Sequence, residues 1–281
     1  MRAVQYVFTG MMAACFLLSG CAHQPSAPSS TAPSSTSPAG ATEALALAAP
    51  RHGDFGHYTL ALTWQPGFCT GPEGNSCQAD QPHTPLIGLH GLWASRPSDL
   101  IQAQVPVTTW WRKGCSLYDE EAPSAAPALS DALTHRLSEV VAHTHSSLVA
   151  HEYTKHVQCF GMDGEQFFSV ATHLRDRFAA LPAAAHLLTE AGTRIAKADL
   201  TRQIEADTGP LPNRGVQFQC NKTPTGEAVL SQIWLTLKPA SLDKFPKTDA
   251  FLSSPLLQDN CPAQFLVPQW PTAVAVGGAA R

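Results

Sequence analysis

Residues 151–159 read His151-Glu152-Tyr153-Thr154-Lys155-His156-Val157-Gln158-Cys159, and the reading of this stretch decides the rest of the chain. It opens like the His-Glu-x-x-His signature of zinc proteases, in which two histidines four apart share a helix face and grip one ion. Here the histidines stand five apart, roughly 140° round a helix, a poor bite for one metal. The same geometry sets His151 over Lys155 and Glu152 over His156, each pair four apart. Two imidazoles, an ammonium and a carboxylate crowded together suit proton transfer around an anion better than metal capture.

Working outward, a second histidine segment lies upstream, Leu89-His90-Gly91-Leu92-Trp93-Ala94. Taken alone, a histidine beside a tryptophan reads first as a packed strand end. Around the two segments the apolar pattern predicts mixed elements. Tyr58, Leu60, Leu62 and Trp64 alternate as a strand with one packed face. A second strand is expected over Leu86–Leu89, delivering His90 at its end. Residues 127–145 read as a helix capped by Ser130, with Leu133, Leu137, Val140 and Val141 on one face. A further helix is expected over 165–181, and two late strands over 216–220 and through Ile233, Leu235 and Leu237. With strands at both ends, helices between them and no internal repeat, the expected class is α+β, a single domain with a mainly antiparallel sheet.

The chain ends carry different information. Arg2, an apolar run and Leu17-Leu18-Ser19-Gly20-Cys21 resemble a bacterial lipoprotein signal, so residues 1–20 are expected to be removed and Cys21 lipidated. Residues 21–50 are rich in Ser, Pro, Ala and Thr and read as a flexible tether, which leaves 51–270 as the domain and 271–281 as a tail. No later stretch has the unbroken apolar length of a transmembrane helix. The expected attachment to a membrane is through the lipid alone, with the soluble domain in the periplasm or cell envelope. Setting aside Cys15 and Cys21 leaves Cys69, Cys77, Cys115, Cys159, Cys220 and Cys261, an even set that implies three disulfides in an oxidising compartment. Six cysteines allow fifteen pairings, and spacing does not choose among them.

Together, the two histidine segments resemble the active-site segments of the ribonuclease T(2) family, His-Gly-Leu-Trp-Pro and His-Glu-Trp-x-Lys-His-Gly-Thr-Cys. The likeness extends to Gly53-Asp54-Phe55, to Tyr58 through Cys69, to Trp110-Trp111-Arg112-Lys113-Gly114-Cys115 and to Cys261-Pro262, and so covers roughly 52–268. It is nearest in character to bacterial periplasmic members. The resemblance implies the disulfides Cys69–Cys77, Cys115–Cys159 and Cys220–Cys261. It also implies a metal-independent endoribonuclease that needs no cofactor, acts as a monomer, and cuts single-stranded RNA through a 2′,3′-cyclic phosphate. By the same analogy His156 takes the 2′-hydroxyl proton, His90 protonates the leaving 5′-oxygen, Lys155 stabilises the phosphorane with help from Glu152, and His151 binds phosphate. Trp93 and Tyr153 are faces on which a base could stack.

The chain departs from the family pattern at Ala94, where the family has proline, and at Val157, where it has glycine. A glycine there would matter if the backbone required positive φ. Ser95 stands where some members carry an acidic residue that holds the base. Charge adds one constraint. Losing Arg2 with the signal would leave the 22 acidic residues against one fewer than the 18 basic ones, whereas a module that held RNA tightly would more often be basic. An enzyme that cuts and releases needs only a local cationic site. Two alternatives are a zinc-binding or metallopeptidase lipoprotein built on His151, Glu152 and His156, and a non-catalytic ribonuclease-like binding lipoprotein.

Overall fold

The computed structural model describes residues 45–70, 76–119 and 126–271. The expected signal, Cys21, most of the expected tether and all but the first residue of the expected tail lie outside the described residues. Strand β1 (Tyr58–Trp64) runs straight into the short helix α1 (Gln65–Phe68), and β2 (Ile87–Ala94) pairs antiparallel with β1. Helices α2 (Ser98–Gln102), α3 (Val107–Lys113), α4 (Asp131–Val140), α5 (Leu148–His156), α6 (Gly164–Ala179) and α7 (Pro182–Thr189) follow. Then come β3 (Arg194–Ala196), α8 (Lys197–Thr208), β4 (Val216–Lys222), β5 (Ala228–Leu237) and β6 (Gln264–Leu266). The six strands form one sheet in the order β2-β1-β5-β6-β3, with β4 on β5. All pairings are antiparallel except β5 with β6. The class is α+β, a single disulfide-stapled domain.

One irregularity positions the chemistry. Ala61 faces Gly91 and Leu62 faces Leu89, which leaves His90 as an extra residue, a β-bulge. Because a bulge shifts side-chain parity by one, Leu89 and Leu92 both enter the core although they are three apart. His90 and Trp93, also three apart, both keep partial exposure. Strand β2 therefore continues through His90 rather than ending at it. Fully burying a leucine contributes about 1.5–3 kcal/mol, so this register is strongly favoured over one that exposes either leucine.

Helix α4 is shorter than the apolar pattern predicts. Ser130 caps it by accepting from Leu133 N, and Leu133, Leu137 and Val140 are buried as expected. Beyond Val140 the backbone is recruited elsewhere: Gln78 N donates to His143 O, His145 N donates to Ser76 O, and Thr144 bridges to Cys77. These pairings outcompete another helical turn. Helix α6 matches its prediction closely and is capped by Asp163, whose Oδ1 accepts from Gln166 N at 2.8 Å. From α6, buried Arg175 donates through Nε to the carbonyl of Ile87 at 2.8 Å, fixing the start of β2.

The packed chain includes residues before the expected domain start at residue 51. Leu45 is only 4% exposed, Leu47 and Ala49 pack on the core, and Gln166 Nε2 donates to Ala46 O. Arg51 N donates to Phe160 O, and Arg51 Nη2 to Gln158 O. Residues 45–51 thus form a strap across the segment that follows α5. The disulfides are Cys69–Cys77, Cys115–Cys159 and Cys220–Cys261, the pairing implied by resemblance. Among the described residues no helix is long and apolar enough to cross a membrane.

Candidate active site

Helix α5 brings the two histidine segments together. Ser147 starts it, its hydroxyl accepting from Ala150 N, and its end is fixed by the 115–159 disulfide and by Gly114. At Gly114 φ is +53°, and a Cβ there would lie 2.7 Å from Lys155 Cγ, so glycine is required both for the backbone and for the close approach. Val157, by contrast, has φ −127° and is fully buried. Valine is unstrained at this position and adds to the core. The departure at Ala94 is also absorbed: it is a paired strand residue whose carbonyl accepts from Trp110 Nε1.

Glu152 is the centre of the arrangement. It is 2% exposed, accepts from Trp93 Nε1 at 2.6 Å through one oxygen, and faces His90 Nε2 at 3.4 Å with the other. Burial pushes its carboxyl upward, but His156, His90 and the Trp93 indole together hold it below the ordinary carboxylate range. Burial drives His156 down to about 4, with Lys155, His151 and His90 adding to the effect and Glu152 opposing it. His156 is therefore neutral through the whole weakly acidic range. His151 is more exposed and is also lowered, chiefly by burial. The His151 and His156 ring centroids are 6.5 Å apart. Among the described residues no three or more His, Cys, Asp or Glu side chains converge where a metal ion could be held. Nδ1 of both His90 and His156 is buried without a hydrogen-bond partner.

Trp93 stands edge-on to His90 at 5.3 Å and to Trp234 at 5.2 Å, and lies 5.6 Å from His156. It borders a cavity of about 630 Å³ that runs from Lys155 and His156 to Trp111 and Leu256. Tyr153 does not border this cavity. Its ring packs on the hydrophobic core beside Gly164 at the start of α6, so the expected second stacking face is a core contact. The cavity also holds residues that sequence reasoning passed over, among them Arg96, Trp111 and Trp234. Trp234 carried a readable signal: with Ile233 and Leu235 on the core side of β5, the tryptophan between them must face the other way.

The whole pattern matches the model of the Ribonuclease T2 family over residues 55–248. The chain belongs to the ribonuclease T2 family. It is 28% identical over 245 residues to Ribonuclease I of Escherichia coli (strain K12), covering 80% of this chain and 90% of that one. It is 27% identical over 177 residues to Ribonuclease S-2 of Nicotiana alata, covering 60% of this chain and 74% of the relative. In fold it is similar to the Nicotiana alata SF11-RNase, with TM-score 0.54 and 18% identity over 77% of this chain and all of that one. As a member of the ribonuclease T2 family the chain is an endoribonuclease.

Proposed function

We propose that this ribonuclease T2 member cleaves single-stranded RNA without a metal, by attack of the substrate's own 2′-hydroxyl on the adjacent phosphorus. The supporting observation is the Glu152 carboxylate held between His90 and Trp93, with neutral His156 one turn further along the same helix. His156 accepts the 2′-hydroxyl proton, a role that requires the neutral ring its depressed pKa supplies. His90, beside a buried carboxylate, donates a proton to the departing 5′-oxygen. The O–P bond to the 5′-oxygen breaks as the 2′-oxygen bond forms, leaving a 2′,3′-cyclic phosphate. Lys155 neutralises the phosphorane, Glu152 orients His90, and His151 contacts phosphate from the exposed end of the site. A base must leave its stack to enter the cavity, which favours single strands. We further propose export, supported by the three disulfides, with residues 1–20 removed and the domain held to a membrane through lipid on Cys21.

The test is a DNA oligonucleotide containing one ribonucleotide. Cleavage is expected only on the 3′ side of that residue, in EDTA, with an early product ending in a cyclic phosphate. His90→Ala and His156→Ala should each abolish it. Comparable cleavage of all-deoxy substrate, or early products with no cyclic phosphate, would overturn the mechanism. A folded wild-type protein that leaves the substrate intact would favour the non-catalytic reading.

A further inference from the structure

The cavity beside His156 is unusual for an acidic protein. Among the described residues no aspartate or glutamate side chain borders it, whereas Arg96 and Lys155 both do. Most arginines of the domain are occupied: Arg136, Arg175, Arg194 and Arg202 each pair with a carboxylate, and Arg177 and Arg214 bind carbonyls. Arg96 donates through Nη1 to Val105 O, and its Nε is buried without a partner. No carboxylate among the described residues stands within ion-pair distance of it. The anchored guanidinium therefore offers the cavity donors and can accept nothing.

Its neighbour is constrained in the same direction. Ser95 Oγ accepts from Gly56 N at 3.0 Å and His57 N at 3.1 Å. Both of its lone pairs are thereby used, and the hydroxyl can contribute only its hydrogen. Gln258, the one side-chain amide on the lining, can turn either its oxygen or its nitrogen toward a ligand and so discriminates nothing. The walls between these groups are flat or apolar, with Trp111 41% exposed and Ile101 49% exposed. A phosphate would gain little from such walls, whereas a base gains by stacking on them.

We infer that Arg96, with Ser95, selects the base of the nucleotide whose 2′-hydroxyl attacks, and that it favours the keto bases guanine and uracil over the amino bases adenine and cytosine. The assignment of the nucleotide rests on the mechanism proposed above. His156, the group facing the 2′-hydroxyl, borders the cavity, whereas His90, the group facing the leaving nucleotide, does not. Guanine presents two acceptors, N7 and O6, on one edge, and uracil presents a keto oxygen where cytosine presents an amino group. An amino group directed at a guanidinium and a spent hydroxyl finds no acceptor.

Four single-ribonucleotide DNA substrates, identical except for rG, rU, rA or rC, test this. The rG and rU substrates should be cut at least roughly tenfold faster in kcat/KM than rA and rC. Arg96→Ala should slow rG and rU toward the rate of the amino pair while leaving rA and rC nearly unchanged. An equal ranking, or one favouring rA and rC, in the wild-type enzyme overturns the inference with no variant needed. A uniform loss over all four in a folded Arg96→Ala enzyme would mark a phosphate contact instead, and also overturns it. If none of the four is cut, the proposed mechanism has failed rather than the base preference.

Discussion

Replacing Gly91 with alanine places one methyl group where the site has no space for it. The added Cβ would overlap the Glu152 carboxylate, standing 2.8 Å from its Cδ and 2.5 Å from Trp93 Nε1. Ordinary contacts begin at 3.4 Å, so the neighbours must retreat by several tenths of an ångström at least. The β2 backbone is held by its ladder with β1 and by Arg175 on Ile87, which leaves the carboxylate as the group that moves. That breaks the Trp93 bond and withdraws the oxygen from His90. A hydrogen bond to a charged group contributes about 1.5–3 kcal/mol. Displacing a reacting group by ~1 Å can cost ~100-fold. Both arguments point to a fall in kcat of roughly 10- to 100-fold, with KM nearly unchanged because Glu152 lies beneath the substrate surface. Steady-state cleavage of the single-ribonucleotide substrate measures it, with thermal unfolding recorded in parallel. Gly88→Ala is the control, since its Cβ would meet Val140 O at 2.6 Å, away from the site, and should cost stability without a selective loss of kcat. If the alanine acts through Glu152, combining it with Glu152→Ala should cost no more than Glu152→Ala alone. Wild-type kcat in Gly91→Ala, or additive losses in the double variant, would refute this account.

Leu45→Ala should destabilise the domain by about 2–5 kcal/mol and lower Tm by roughly 4–20 °C, whereas removal of residues 1–44 should leave Tm unchanged; circular dichroism melts separate the two. Activity should survive down to about pH 4 on the acid side, because His156, the proposed base, is neutral above that value and gains its proton only as pH falls through it. Lys155→Met removes a charge that depresses His156, so the residual activity should show its acid limb at higher pH; a downward shift would contradict the assignment. Cys21→Ser should move the protein from the membrane to the soluble fraction, and continued membrane association would rule out the lipid anchor.

How far the sequence could be read depended on whether the deciding contacts were local. The α5 pairs His151/Lys155 and Glu152/His156 follow from helix geometry alone, and the caps Ser130 and Asp163 bind within their own first turns. The bulge at His90 was legible in principle. Leu89 and Leu92 cannot share a face of a regular strand, and neither can His90 and Trp93. Ending the strand at Leu89 hid that conflict. The shortened α4 was not legible, because the chain that competes for residues 143–145 comes from 76–78. Helix α7 is nearly apolar all round and α8 mixes charges with few large apolar residues, so neither shows the sharp stripe that marked α6. The cavity was least accessible: Arg96, Trp111 and Trp234 meet only after folding. The disulfide pairing came from resemblance, since spacing left every alternative open.

The bond between Cys115 and Cys159 brackets α5, tying the chain next to Gly114, which touches Lys155, to a point three residues beyond His156. On the proposed mechanism, catalysis is then expected to depend on the redox state of the surroundings. In a reducing compartment a newly made chain would lack this clasp at the end of α5, and the proposed acid on β2, His90, and proposed base on α5, His156, would be expected to lose their register. Oxidation after export would arm the enzyme, and the RNA of the cell that makes it would be spared during synthesis. Mild reduction should therefore extinguish cleavage at reductant concentrations where far-ultraviolet circular dichroism still reports a folded domain, and reoxidation should restore it.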